Sequence, residues 1–182
     1  MGSPVRIATK DDEPEVIRLL EMMHAESGLR GLDLDCARNM FAFAFEKRGG
    51  IIGAIGPKDS IEGMIFLLIT RFWYRKDNHL EELFNYVRPD HRAGTDHAKT
   101  LIEFAKKCAD EIKIPLAIGV MTNQRVVGKV RLYRRSLGFP SGAFWIYGAE
   151  WANERTADDD DFWQKPFPSH IRNGRARKEV TP

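Results

Sequence analysis

The sequence predicts an α/β chain with elements in the order β-α-α-β-β-β-α-β-α-β. Three observations carry this. Apolar residues recur at helical spacing in several stretches. Runs rich in branched and aromatic residues lie between them. Glycine, proline and Asp/Asn breaks separate the two kinds of stretch. The length of 182 residues suits one domain. Residues 1–150 are expected to form it, and residues 151–182 an irregular tail, because the composition there turns to an acid run at Asp158 to Asp161 and a basic, polar stretch from Arg172 to Lys178.

Pro4 to Thr9 reads as a short strand with Val5 and Ile7 on one face. Asp11 and Asp12, followed by Pro14 and Glu15, mark a helix start, and Val16, Leu19, Leu20 and Met23 continue it at helical spacing. Gly28 and Gly31 interrupt. A second helix carries Ala37, Met40, Phe41, Ala44 and Phe45 and ends at Gly49-Gly50. Ile51 to Ile55, Ile61 to Arg75 and Leu80 to Val87 read as three antiparallel strands, the middle one long enough to bend or hold a bulge. Ala98, Leu101, Ile102, Ala105, Cys108, Ala109 and Ile112 repeat at i, i+3, i+4, i+7, which places one apolar stripe of a helix on the sheet. Pro115 to Val120 is a continuous apolar run, as in a buried strand. A last helix runs from about Gln124 to Leu137 with Val126, Val130, Tyr133 and Leu137 on one face, and Gly138 stops it. Phe139 to Tyr147 supplies the last strands.

The 28 basic and 26 acidic residues leave a net charge of +2, which argues against a nucleic-acid partner. No apolar run approaches the ~18 residues of a membrane span. Met1 to Lys10 lacks the basic-then-apolar order of a secretory signal, so a cytoplasmic chain without a membrane partner is expected. Cys36 and Cys108 read as buried or half-buried thiols in a reducing compartment. The histidines lack paired ligand spacing, so no metal site is expected, and there is neither a Ser-His-Asp pattern nor a P-loop.

Two blocks carry a family resemblance. Tyr86-Val87-Arg88-Pro89-Asp90-His91-Arg92-Ala93-Gly94-Thr95-Asp96-His97-Ala98-Lys99 is a strand ending in valine, a proline turn, an arginine and a loop opening a helix. Ile114 to Phe139 is a strand, then Asn123, then a helix carrying Leu132-Tyr133 and closing on Leu137-Gly138-Phe139. Over roughly residues 4 to 148 the chain resembles the GNAT superfamily of acetyl-coenzyme A-dependent N-acetyltransferases. Its loop pattern is closest to phage- and prophage-encoded members. The resemblance implies a mixed, mostly antiparallel central sheet flanked by helices, and acetyl-CoA as cosubstrate. One departure stands out. The family glycine positions counted from Arg92 hold Thr95 and His97, and Gly94 is shifted by one.

Coenzyme A is a polyanion, and a helix N-terminus with its free N–H groups suits a pyrophosphate. Gly94 to Lys99 is such a start, with Arg92, His97 and Lys99 adding charge and Asp90 and Asp96 offsetting it. The resemblance thus marks Tyr86, Val87, Arg92, Ala93, Gly94, Thr95, Asp96, His97, Ala98, Lys99 and Asn123 as cofactor-binding. The strands ending at Val87 and Met121 would splay to open the cleft. Tyr133 matches the family tyrosine that hydrogen-bonds the departing thiolate, and it also reads as a core residue on its helix face. Glu82 is the expected base over Glu81, because strict alternation puts Phe84 and Tyr86 on its face. His79 and His91 are alternatives, and capping alone would explain Asn123.

The acceptor expected is a small or protein amine, in a pocket to which Phe41, Phe45, Phe72, Trp73 and Tyr74 could contribute. A homodimer is consistent with the family. Two other readings follow from the altered glycines and the tail: a catalytically inactive GNAT-fold component of a virion, and a module that senses acyl-CoA without turnover.

Overall fold

The computed structural model describes residues 4–27, 31–122 and 125–142. Strand β1 spans Arg6–Ile7. Helices α1 (Glu13–Ser27) and α2 (Leu34–Phe45) follow, then strands β2 (Gly50–Ile55), β3 (Gly63–Thr70) and β4 (His79–Val87). Helix α3 (His97–Ile112), strand β5 (Leu116–Ala117) and helix α4 (Val126–Leu137) complete the described elements. The expected order is found as far as α4. The expected last strands are not seen at residues 139–142, and the rest of that run, with the tail, lies outside the described residues, as do Gly28 and Asn123.

Local chemistry explains the element ends. The Thr9 N–H and hydroxyl both donate to Asp12 Oδ2, at 2.8 and 3.2 Å, and Arg6 grips the same carboxylate at 2.8 and 2.9 Å. Burial pushes the Asp12 pKa up, but these bonds outweigh it and hold the group below its ordinary value. One buried acid therefore ties β1 to the entry of α1. Asp33 caps α2 by accepting from the N–H groups of Asp35 and Cys36. Lys113 ends α3 in the left-handed region at φ 59°.

The sheet order is β1-β2-β3-β4-β5, antiparallel throughout except for the parallel pair β4–β5. It is a mixed, mostly antiparallel sheet with helices on both faces. Val16 and Leu19 of α1 and Phe41 of α2 pack on Ile52, Met64 and Phe66, and the Phe41 and Phe66 rings meet edge-on at 5.3 Å. On the other face Leu101, Ala105 and Ala109 of α3 cover Ile55, Ile65, Leu67 and Leu80. The spacing of the α3 stripe is what makes this second core possible.

Three expectations need correction. The strand expected to reach Arg75 stops at Thr70, and Phe72 to Arg75 form a turn closed by the Arg75 N–H on the Phe72 carbonyl. The irregularity in pairing sits on β4, where Leu83 is the extra residue between Glu82, opposite Leu67, and Phe84, opposite Phe66. Cys36 is exposed, because it lies on the outer face of the capped first turn of α2, whereas Cys108 is buried.

Candidate active site

Strands β4 and β5 pair only at Leu80 with Leu116 and Glu81 with Ala117. Beyond that they separate, and a cavity of about 700 Å³ opens between them, within the ordinary range of ligand sites. Its floor is the bulged part of β4, and one wall is residues 117–122. Arg92, Thr95 and Ala98 close one side, α1 contributes Glu26, and α4 contributes Lys129 and Tyr133. Tyr86 and Val87 line it as well, at the strand end where the resemblance places the cofactor.

The bulge decides which side chains face where. Glu82 shares a sheet face with Leu67 and Leu80, whereas Phe84 and Tyr86 share the opposite face with Phe66 and Met64. Strict alternation therefore misplaced Phe84 and Tyr86 relative to Glu82. All three still line the cavity, because it lies at the edge of the sheet where both faces are reachable.

Glu82 is 8% exposed. Loss of water pushes its pKa up to about 7, against the pull of Lys129 and a hydrogen bond from the Gly119 N–H; the nearby Glu81 charge adds to the rise. Burial also holds the half-buried Tyr133 phenol well above its ordinary value, reinforced by the Glu82 charge and opposed by the Asn85 side chain. Lys129 is shifted down, first by burial, with Glu82 and Glu26 pulling it back. The cavity so holds a carboxyl that titrates near neutrality, a phenol that stays protonated, and the Lys129 side chain beside the carboxyl.

Sequence reasoning missed Lys129, Glu26 and Asn85. Lys129 had a signal, since it stands four residues before Tyr133 and shares its helix face. Glu81 is half-buried, with its carboxylate 3.8 Å from His79 Nε2. His79 is buried and stacks on Phe72 at 4.2 Å between centroids. His91 lies outside the cavity lining. Of the other aromatics offered for an acceptor pocket, Phe72 lines the cavity, Phe41 is core, and Trp73 is 95% exposed.

The loop from Arg92 to Lys99 is only partly committed to its own fold. The first helical bond of α3 runs from the Thr100 N–H to the Asp96 carbonyl, at 2.8 Å. The N–H groups of His97, Ala98 and Lys99 are thus outside the helical ladder. Gly94 takes φ +75° with open space around it, so the backbone turns there and is approachable. Ala93, Gly94, Thr95, Asp96 and Lys99 are exposed. These features fit a pyrophosphate held by backbone N–H groups.

The side chains behave differently. The Thr95 hydroxyl donates to the His91 carbonyl and is turned into the loop. The Arg92 guanidinium binds both oxygens of Glu26, at 2.8 and 2.6 Å, and its Nε donates to the Val87 carbonyl at 2.7 Å. Arg92 also lies over the Tyr86 ring at 5.2 Å, and the Tyr86 hydroxyl donates to Glu26 at 3.2 Å. It is thus the strut between loop, strand end and α1. His97 is buried and points inward to Glu62, 2.7 Å away, and so does not obstruct the outer side of the loop.

No protein-family model matches the chain. No curated protein matches it either. Solved structures do. A GCN5-related N-acetyltransferase from Ralstonia eutropha JMP134 is 21% identical, with 80% of this chain and 97% of that one covered and a TM-score of 0.64. A predicted acetyltransferase from Clostridium acetobutylicum, solved with acetyl-CoA, is 15% identical, with 79% and 93% covered and a TM-score of 0.63. A ribosomal-protein-alanine N-acetyltransferase from Brucella melitensis is 18% identical, with 81% and 99% covered and a TM-score of 0.62. At these identities the likeness is one of fold, and the chain has the fold of the GCN5-related N-acetyltransferases.

Proposed function

We propose that the chain transfers an acetyl group from acetyl-CoA to a primary amine, free or on a protein, by direct attack. The observation that carries this reading is that Glu82 of β4 and Tyr133 of α4 line the same cavity, which opens where β4 and β5 part. Direct transfer needs a base for the amine proton and a hydrogen-bond donor to help the leaving thiolate. Glu82, titrating at about 7, is about half ionised at neutral pH and takes the proton from the ammonium or from the attacking nitrogen. Tyr133 stays protonated throughout the physiological range and donates a hydrogen bond to sulfur as the thioester bond breaks, which eases departure of the thiolate. Unpaired backbone along the end of β4 supplies donors beside the acetyl oxygen. The cosubstrate brings the activated acyl group. The loop N–H groups from His97 to Lys99 hold its pyrophosphate, and Arg92 keeps that loop against α1.

Fold likeness to a chain solved with acetyl-CoA supports the choice of donor. The test pairs thermal unfolding with and without millimolar acetyl-CoA with an acetylation assay over an amine panel, for the natural chain and Tyr133→Phe. Binding at about 100 times the dissociation constant adds roughly 2.7 kcal/mol, read as a rise of a few degrees. Tyr133→Phe should keep that rise and lose turnover by up to about 100-fold. Binding without turnover by either protein would favour an acyl-CoA sensor. Neither binding nor turnover would overturn the reading and leave the fold in a structural or assembly role.

A further inference from the structure

We infer that Glu62, His91 and His97 form a binding site for one divalent transition-metal ion, of the zinc type, on the side of the loop away from the cavity. Glu62 lies just before β3. Its N–H donates to the Ile55 carbonyl at 2.8 Å and its carbonyl accepts from the Arg88 N–H at 2.9 Å, so its backbone is fixed between β2 and the end of β4. His91 ends the short 3-10 turn Pro89–His91, and His97 opens α3. The fold brings the three together across 35 residues of sequence.

The geometry is that of a ligand set. His97 Nε2 is 2.7 Å and His91 Nδ1 is 3.6 Å from the same Glu62 oxygen, Oε2. One ligand atom from each residue lies within 4.8 Å of the other two. Only the shorter contact is a hydrogen bond, since 3.6 Å is beyond hydrogen-bond range. Two imidazole nitrogens thus converge on one carboxylate oxygen, which is hydrogen-bonded to only one of them. An ion at about 2.0–2.1 Å from each donor satisfies all three. It requires donor separations of roughly 3.3 Å, so His91 is nearly in place and the Glu62–His97 contact opens by about half an ångström.

The surroundings match. Asp90 Oδ2 lies 3.6 Å from His91 Nε2, the ring nitrogen turned away from Glu62, and Arg88 holds Asp90 at 2.8 Å. At that distance Asp90 makes no hydrogen bond to the ring; it places a negative charge behind the imidazole, on the side away from Glu62. The His91 and Glu62 side chains are 32% and 22% exposed, which leaves one side open for entry and for a water as fourth ligand. Nδ1 of His97 is buried without a hydrogen-bond partner, so ligation through Nε2 leaves its N–H unpaired, a cost the metal bonds must outweigh. Two imidazoles and one carboxylate suit zinc and its neighbours, and not calcium or magnesium, which take oxygen sets.

Such an ion would tie His91 and His97, the two ends of the loop, to the edge of β3. The other side of that loop carries Arg92, Thr95 and Ala98 into the cavity. The site itself does not depend on what the cavity binds.

The test titrates the metal-stripped full chain with Co²⁺, and separately follows thermal unfolding with Zn²⁺. One equivalent of Co²⁺ should give a visible d–d band without sulfur charge transfer, lost on adding Zn²⁺, and Zn²⁺ should raise the unfolding temperature by a few degrees. His91→Ala, at a partly exposed turn, and Glu62→Gln should each weaken binding at least 10-fold while the metal-free unfolding temperature of His91→Ala stays within about 2 °C of the natural chain. His97 is left unchanged because its burial makes loss of fold a competing cause. No band and no shift, binding unaltered in His91→Ala and Glu62→Gln, or a sulfur charge-transfer band pointing to exposed Cys36, would each overturn the inference.

Discussion

Glu82 costs the fold stability whenever it is ionised, and this gives its role a measurable signature. Its folded pKa, about 7, lies above the ordinary 4.5 because burial disfavours the charge. The folded protein therefore holds a proton that the unfolded chain releases earlier, so stability falls as pH rises from about 4.5 to 7 and levels off above. Glu82→Gln keeps the neutral shape and should remove that fall. At pH 8 it should be more stable than the natural chain by roughly 2–4 kcal/mol, and at pH 4.5 nearly equal to it. Acetyl transfer should show the opposite preference, rising with pH through about 7 as the base ionises and losing that limb in Glu82→Gln. Denaturant titrations at the two pH values check the first half, and a pH–rate profile the second. A destabilised Glu82→Gln at pH 8 would mean that the carboxylate is better paired, by Lys129 or Gly119, than its burial implies.

At the scale of elements, the site depends on irregularity that the sequence does not advertise. The α3 stripe from Ala98 to Ile112 was legible because seven apolar residues at one period leave no alternative register. Glu82 lines the cavity although the alternation that selected it fails, and Tyr133 as a lining residue was legible through its motif. The extra residue at Leu83 was not, since His79 to Val87 carries no glycine or proline and its side chains fit either register. Lys129 could have been found from its spacing to Tyr133. The Glu26–Arg92 contact could not, because it joins elements 66 residues apart by tertiary packing alone. That contact has its own consequence. Arg92 spends both Nη atoms on Glu26 and its Nε on Val87, so the loop position is set by α1. Glu26→Gln should cost only about 1 kcal/mol, because both side chains are over a fifth exposed and the pair is screened. It should also weaken acetyl-CoA several-fold by loosening the loop, measured by isothermal titration. Tighter binding instead would mean that Glu26 holds Arg92 away from the phosphates.

At the scale of the whole molecule, two helical layers are pressed onto opposite faces of one sheet. Glycines in β2 mark how close. A Cβ at Gly50 would stand 2.8 Å from the Ala44 N and 3.0 Å from the Phe43 carbonyl carbon, the backbone of the last turn of α2. A Cβ at Gly53 would meet the Phe104 ring of α3 at 2.6 Å and Val5 at 3.0 Å. The two layers thus touch the same strand from opposite sides, and neither contact lines the cavity. Gly50→Ala must move helix backbone, whereas Gly53→Ala can be relieved by turning one ring. Both should destabilise, by about 1–3 kcal/mol, with Gly50→Ala the worse. Urea titration should show lower midpoints with unchanged slope, as expected when packing is lost and the compactness of the unfolded chain is not altered. If the order is reversed, the contact between α3 and the sheet is the stiffer of the two.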